Sequence, residues 1–332
     1  MITIISPDYF HVHLRQNRIL RLVGPFTAGQ FARALVMPNT DPPILTAEDV
    51  VRYRAEILDA CGDRFVPLMT IYLTSGTTRE VIRKAKIAGV IAGKWYPKGV
   101  TTGSTAGAEN VRELYPALGE MQEQNMVLSI HGQKPGNIDS FAREEKFLPI
   151  LEQIAKDFPR LKVVMEHLST KAAIDRVLQL GNNIAATITV HHMILTRNDF
   201  MDGVLQPHNF CIPPAQRAED RNALIDAATS GNPKFIFGSD SAPHLLSSKE
   251  CKRGKGGIFT APVALPLLTQ IFEKCNVLDK LGCFVSKFGA NFYSLPQNTG
   301  TINLVKEDWT VPEEYEGIAI FRAGKTLHWR VA

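Results

Sequence analysis

Eight short apolar, β-branched runs alternate with longer amphipathic segments along 332 residues, and this rhythm predicts an α/β fold, a single (β/α)8 barrel of the TIM type. The length suits a barrel of roughly 250 residues carrying insertions. No Pro/Gly/Ser linker, repeat or low-complexity tract divides the sequence, so one domain is expected over residues 1–332. An open doubly wound sheet is the alternative arrangement of the same alternation.

Taken in order, the expected strands are Tyr9–Leu14, Ala34–Met37, Phe65–Leu73, Val90–Trp95, Met126–His131, Lys162–His167, Ile184–Thr189 and Phe235–Ser239. Helix-like segments lie between them at Thr46–Ala60, Thr77–Ala88, Ala108–Gln124, Glu144–Asp157, Thr170–Leu180, Gln216–Ser230 and Thr260–Lys274. The irregular stretches Tyr96–Gly107 and Ser241–Gly257 each follow a strand, where a barrel places its functional loops. The tail from Gln297 to Ala332 is less regular and is expected to close over the outside of the barrel.

Composition narrows the function. With 45% hydrophobic and 21% charged residues this is an ordinary globular chain. The net charge of +4 is dispersed, without an aromatic-interleaved basic patch, which favours a small anion over nucleic acid as partner. The basic loop Lys249–Lys255 is read as solvated. Five cysteines, odd in number and without a C-x-x-C pair, suggest neither a disulfide framework nor a thiolate zinc site. MITIISPDYF lacks the basic and apolar regions of a signal peptide, and APVALPLLTQIF is too short and Pro-broken to span a bilayer. The expected setting is the cytoplasm, away from membranes.

The strand ends carry the chemistry. The first holds His11 and His13, the fourth Lys94, the fifth His131, the sixth His167, and the eighth runs into Asp240. Alternate residues of a strand share a face, so His11 and His13 sit about 7 Å apart along the backbone and can converge on one ion. Neutral imidazole and carboxylate suit zinc, with Mn²⁺ or Co²⁺ compatible with the same donors. A strand-end histidine taken alone is usually structural, and a lysine taken alone usually snorkels to solvent. Several such groups at separate strand ends shift that balance. Lys94, at the end of an apolar run, would be driven toward its neutral amine, which can add carbon dioxide to give a carbamate. Gly89–Lys94 imitates a phosphate loop, but the glycine spacing is one residue short and Trp95 follows the lysine where Ser or Thr is needed.

PDYFHVHLR, VMPNTDPP, AGKWYP, SIHG, VMEHLST, IPP, GSDSAPH and FTAP occur in this order over almost the whole chain, which resembles the dihydroorotases of the amidohydrolase superfamily, in their shorter bacterial form. The resemblance implies two Zn²⁺ ions per subunit: one on His11, His13 and Asp240, the other on His131 and His167, bridged by a hydroxide and by Lys94 as N6-carboxylysine. It implies reversible closure of N-carbamoyl-L-aspartate to L-dihydroorotate in pyrimidine biosynthesis, with Asp240 as general acid and base. Arg15, Asn39 and His244 would hold the substrate carboxylate, with His131 beside them. Thr101 and Thr102 would belong to a mobile loop, and backbone groups of Ile212 and Ala261 would meet the ring edge. A homodimer is expected. Gln16-Asn17 replace the family's usual Asp-Gly, and Met1–Pro7 is too short for the β-sandwich of longer relatives. The competing readings are a hydantoinase or dihydropyrimidinase, to which the carboxylate trio would be useless, and a catalytically silent homologue, which would not need all six metal ligands.

Overall fold

The computed structural model describes residues 1–332. A short strand β1 (Ile2–Ile5) precedes the barrel. Then come β2 (Asp8–Val12), α1 (Asn17–Ala28), β3 (Arg33–Val36), α2 (Ala47–Cys61), β4 (Val66–Leu73), α3 (Arg79–Ile87), β5 (Val90–Trp95), α4 (Tyr115–Glu123) and β6 (Val127–Ile130). The alternation continues through α5 (Arg143–Asp157), β7 (Val163–Met165), α6 (Lys171–Gln179) and β8 (Ile184–Ile188), then the short α7 (Asn198–Met201), α8 (Ala218–Thr229) and β9 (Phe235–Phe237). The short α9 (Leu246–Lys249), α10 (Ala264–Lys274) and α11 (Phe288–Phe292) follow.

Strands β2 to β9 pair in sequence order, all parallel. The seam closes where Asp240 N–H donates to His11 C=O and His13 N–H to Ser241 C=O, both at 3.0 Å. The expected (β/α)8 barrel is therefore the observed one, and all eight expected strands form. Most end one or two residues earlier than their apolar runs.

Helix α1 is absent from the expected segments, and it carries Gly24 and Pro25, residues that disfavour a helix interior. Its amphipathic face, Leu20, Val23 and Thr27, is nevertheless buried. Gly24 is needed there, since a Cβ would lie 2.6 Å from Cys61 Sγ of α2. Gln16 sits at the N-cap position of α1 without a capping side-chain bond and instead accepts the Asp41 N–H at 3.0 Å, while Asn17 takes φ 54°, a left-handed conformation that asparagine tolerates well. This is what Gln16-Asn17 do in place of Asp-Gly.

The tail departs from the expectation of irregular cover. Lys162 Nζ donates to Phe292 C=O at 2.7 Å, Arg33 to Pro296 C=O at 2.8 Å, and Asn298 to the Asp8 carboxylate at 2.8 Å, so Phe292–Asn298 seals the N-terminal end of the barrel. Beyond it, β10 (Thr301–Thr310) pairs antiparallel with β1 on one side. A two-stranded β11 (Glu314–Tyr315) and β12 (Ile318–Ala319) follows, and β13 (Thr326–Val331) pairs with the other side of β10. Alternation in TLHWRV buries Leu327 and Trp329, which attach this small sheet to the core.

Inside the barrel the side chains stack in layers. Phe10, Leu35, Leu68, Ala92, Val127, Val164, Ala185 and Ile236 form an apolar floor, over which Phe10 stacks with Tyr293 at 4.8 Å. Two residues further along four strands the period of two places Lys94, Ser129, Glu166 and Thr187, all fully buried, as a polar layer above it.

Candidate active site

A register irregularity between Tyr9 and Val12 interrupts the alternation in β2, so Phe10 belongs to the floor while His11 joins the polar layer. Glu166, fully buried, accepts from Ser129 Oγ at 2.5 Å and Thr187 Oγ1 at 2.6 Å, and its Oε2 lies 2.9 Å from His11 Nδ1. Burial pushes this carboxyl up, but His11 and Lys94 more than offset it and hold Glu166 below its ordinary value. An ionised carboxylate only accepts, so His11 Nδ1 carries a proton toward Glu166 and Nε2 is the atom that faces Asp240 and would ligate a metal. Sequence reading missed Glu166, although a carboxylate in the apolar run VVMEH was a signal for it.

His11 Nε2 and His13 Nε2 stand 3.3 and 2.9 Å from Asp240 Oδ1, yet Oδ1 makes no aligned hydrogen bond. One donor atom from each of the three lies within 4.8 Å of the others, all buried. Burial raises the Asp240 carboxyl, but His11 and His13 pull it well below the carboxylate range. Burial lowers His13 to about 4, against the pull of Asp240.

His167 leaves β7 with φ 44° and Asp240 leaves β9 with φ 46°, a left-handed turn that swings each into the barrel mouth. The His167 ring lies 4.6 Å from that of His131 and 5.1 Å from that of His11, and its buried Nδ1 has no partner. His131 Nε2 meets Gln133 Oε1 at 2.9 Å. Burial lowers His131 to about 3, assisted by the Lys94 ammonium, and drives His167 well below its ordinary value. Both are neutral and able to ligate.

Lys94 is fully buried and Nζ has no hydrogen-bond partner; only the Tyr96 ring lies over it, at 5.0 Å. Burial pulls it down to about 8, although Glu166 and Asp240 oppose the shift. Orphaned Lys94 Nζ, His167 Nδ1 and Asp240 Oδ1, amid neutral imidazoles, are the donor set that bound divalent cations require. The six residues expected to ligate metal therefore converge, and they fit the group.

Beside this cluster opens a cavity of about 580 Å³ whose walls include Arg15, Asn39, Tyr72, Thr102, His244 and Lys255. Arg15, at φ 62°, donates through Nε to Pro243 C=O at 3.1 Å and through Nη2 to His244 Nε2 at 3.0 Å. Tyr53 of α2 holds its carbonyl. Burial, with Arg15 next in effect, lowers His244 to about 2, so the ring is neutral; its Nε2 accepts from Arg15 and Nδ1 carries the proton. Asn39 accepts from Tyr96 OH at 2.9 Å and donates to Thr102 C=O at 3.1 Å, which ties the Tyr96–Gly107 loop to the cavity. Thr101 is half-buried in that loop and is bonded to Ser104.

Ile212 and Ala261, expected to meet the ring edge, line no part of this cavity, as none of the six metal-site residues does. Ala261 spends its N–H on Ser241 Oγ at 3.1 Å and its C=O on Gln30 at 2.9 Å. The wall segment nearest this role is Lys255, whose neighbour Gly256 packs on Ile212 so closely that a Cβ would lie 2.8 Å from Cγ1. Nor is the basic loop wholly solvated, because Lys249 is buried and its ammonium donates to Gly257 C=O at 2.5 Å.

A model of the amidohydrolase family matches residues 40–272. A dihydroorotase of Pseudoalteromonas atlantica is 46% identical over 99% of this chain and 98% of its own length. The dihydroorotase of Saccharomyces cerevisiae, solved in complex with 5-fluoroorotic acid, superposes with a TM-score of 0.94 at 34% identity, covering 100% of this chain and 98% of that one. An L-hydantoinase from Arthrobacter aurescens shares the fold, with a TM-score of 0.85 at 16% identity over 99% of this chain and 83% of its own. No helix is long and apolar enough to cross a membrane. Matched end to end by such relatives, the chain belongs to the dihydroorotases of the amidohydrolase family.

Proposed function

We propose that this chain interconverts N-carbamoyl-L-aspartate and L-dihydroorotate through the strand-end cluster, with Lys94 carboxylated. The observation that carries this reading is Lys94 itself, a fully buried amine without a hydrogen-bond partner, close enough for its charge to depress His131 and His167. Such an amine attacks carbon dioxide: an N–C bond forms, one C–O π pair moves to oxygen, and a proton leaves the nitrogen for solvent. Counting the proton that the ammonium gives up first, a buried cation is replaced by an anion whose oxygens would suit divalent metal.

His11, His13, Lys94, His131, His167 and Asp240 would hold divalent ions, which when bound would supply Lewis acidity toward the scissile carbonyl and lower the pKa of a water. Glu166 keeps the lone pair of His11 directed inward. Asp240, ionised, takes the proton of the attacking water and hands it to the departing ring nitrogen; closure reverses these transfers. Arg15 offers its guanidinium, His244 its Nδ1–H and Asn39 its amide to the substrate carboxylate. The yeast relative's complex with a carboxylated pyrimidine, 5-fluoroorotic acid, agrees with such a pocket. A neutral hydantoin would leave Arg15 and His244 without a partner.

Two measurements test the reading. Arg15→Met should lower kcat/KM by roughly 2–4 kcal/mol, and a loss below about tenfold would remove Arg15 from carboxylate binding. At constant dissolved carbon dioxide, reactivation of metal-depleted protein by zinc should accelerate with pH through about 8, where the Lys94 amine is half neutral, and level off above it. A reactivation rate flat across that range would contradict carbamate formation.

A further inference from the structure

The two substrates of this reaction differ in charge: the open chain carries two carboxylates and the ring one. The cavity walls hold two permanent cations, Arg15 and Lys255, and one carboxylate, Asp41. Arg15 is committed to His244 and Pro243, whereas the Lys255 side chain is exposed at the mouth.

Its backbone is nonetheless fixed. Lys255 N–H donates to Ser248 C=O at 2.9 Å, and its own C=O accepts from the buried Lys249 ammonium at 3.3 Å. Lys249 also reaches Gly257 C=O at 2.5 Å and Phe210 C=O at 3.4 Å, so it clamps the loop on both sides of Lys255. The charge of Lys255 is among those that depress His244, which places it close to the carboxylate-binding end.

We propose that Lys255 is a specificity-determining residue that favours the open-chain dianion over the ring monoanion, a role resting on the reaction assigned above. As an exposed ammonium, it acts by screened attraction proportional to ligand charge rather than by one short contact. The enzyme cannot alter the equilibrium constant, so removing Lys255 must lower kcat/KM by the same factor in both directions. The preference therefore appears as a split in KM.

The test is steady-state kinetics in both directions on metal-loaded Lys255→Met. At low salt KM for the open chain should rise about fourfold with kcat unchanged, while KM for the ring rises about twofold and its kcat falls about twofold. Lys255→Arg should restore both values, about 0.5 M salt should erase the split, and Lys252→Met, a cation of the same loop outside the cavity walls, should leave both KM values unchanged. An unchanged KM, an equal rise for both ligands, no rescue by arginine, or the same split in Lys252→Met would overturn the role. If the unaltered protein turned over neither compound, the reaction assignment would fail; if it turned over both while KM rose equally, only the role of Lys255 would.

Discussion

Two clusters in this barrel look alike by composition: His11, His13 and Asp240 at the mouth, and His191, His192 and Cys211 beyond β8. Each brings three donor atoms within 4.8 Å of one another, and each is buried. They differ in what the donors already do. In the first, Asp240 Oδ1 is unsatisfied and Glu166 turns the free nitrogen of His11 inward. In the second, His192 spends Nδ1 on Thr189 at 2.8 Å and Nε2 on Pro213 C=O at 3.0 Å, and the Cys211 thiol also donates to Pro213 C=O at 3.2 Å. Burial pushes that thiol up to about 12, far from the thiolate a metal needs. Only His191 is left unpaired. Proximity of ligand types is a weak criterion; uncommitted lone pairs are the useful one.

The largest expected effect breaks the first cluster. Lys94→Ala should lose at least about a thousandfold in kcat, roughly 4 kcal/mol, together with part of its bound metal, and a small carboxylic acid with zinc should partly restore turnover. Full activity in the variant would end the bridging role.

Next comes stability. Lys94→Met should make the metal-free protein more stable than wild type by about 3 kcal/mol near neutral pH, since burial lowers this amine from 10.5 to about 8. The sign follows from proton binding: between those values the unfolded chain holds more protons, so wild-type stability rises with pH there. The advantage of the variant is thus complete below about 8 and fades toward 10.5. Denaturant titration of both metal-free proteins at several pH values checks this.

Smaller again, Glu166→Gln should weaken zinc binding by roughly 10–100-fold, because the His11 tautomer is no longer enforced. Competition with a chelator measures it. Smallest of all, Cys211→Ser should leave metal stoichiometry unchanged and shift stability by about 1 kcal/mol or less. Loss of one ion per chain would show that the second cluster binds metal after all.

The sequence made the barrel legible because an apolar run survives in every strand, even in β2 where the alternation breaks. It hid α1, where packing against Cys61 rewards the very Gly24 that reads as a breaker. It understated the tail, since a sheet assembled from Ile2–Ile5, Thr301–Thr310 and Thr326–Val331 depends on pairing across the whole chain. The six strand-end donors were readable as residue types at strand ends. Glu166 was not, because its role comes from Ser129, Thr187 and His11, each on a different strand. Lys249 read as one more surface charge, although three carbonyls receive it in the interior.

The left-handed backbone of Arg15, His167 and Asp240 bears on how mutagenesis of this site should be interpreted. Alanine at any of the three removes the side chain yet keeps the steric conflict of Cβ at positive φ, whereas glycine removes both, a difference of about 1–2 kcal/mol. Comparing the two replacements at one position separates what the side chain does for turnover from what the turn costs the scaffold.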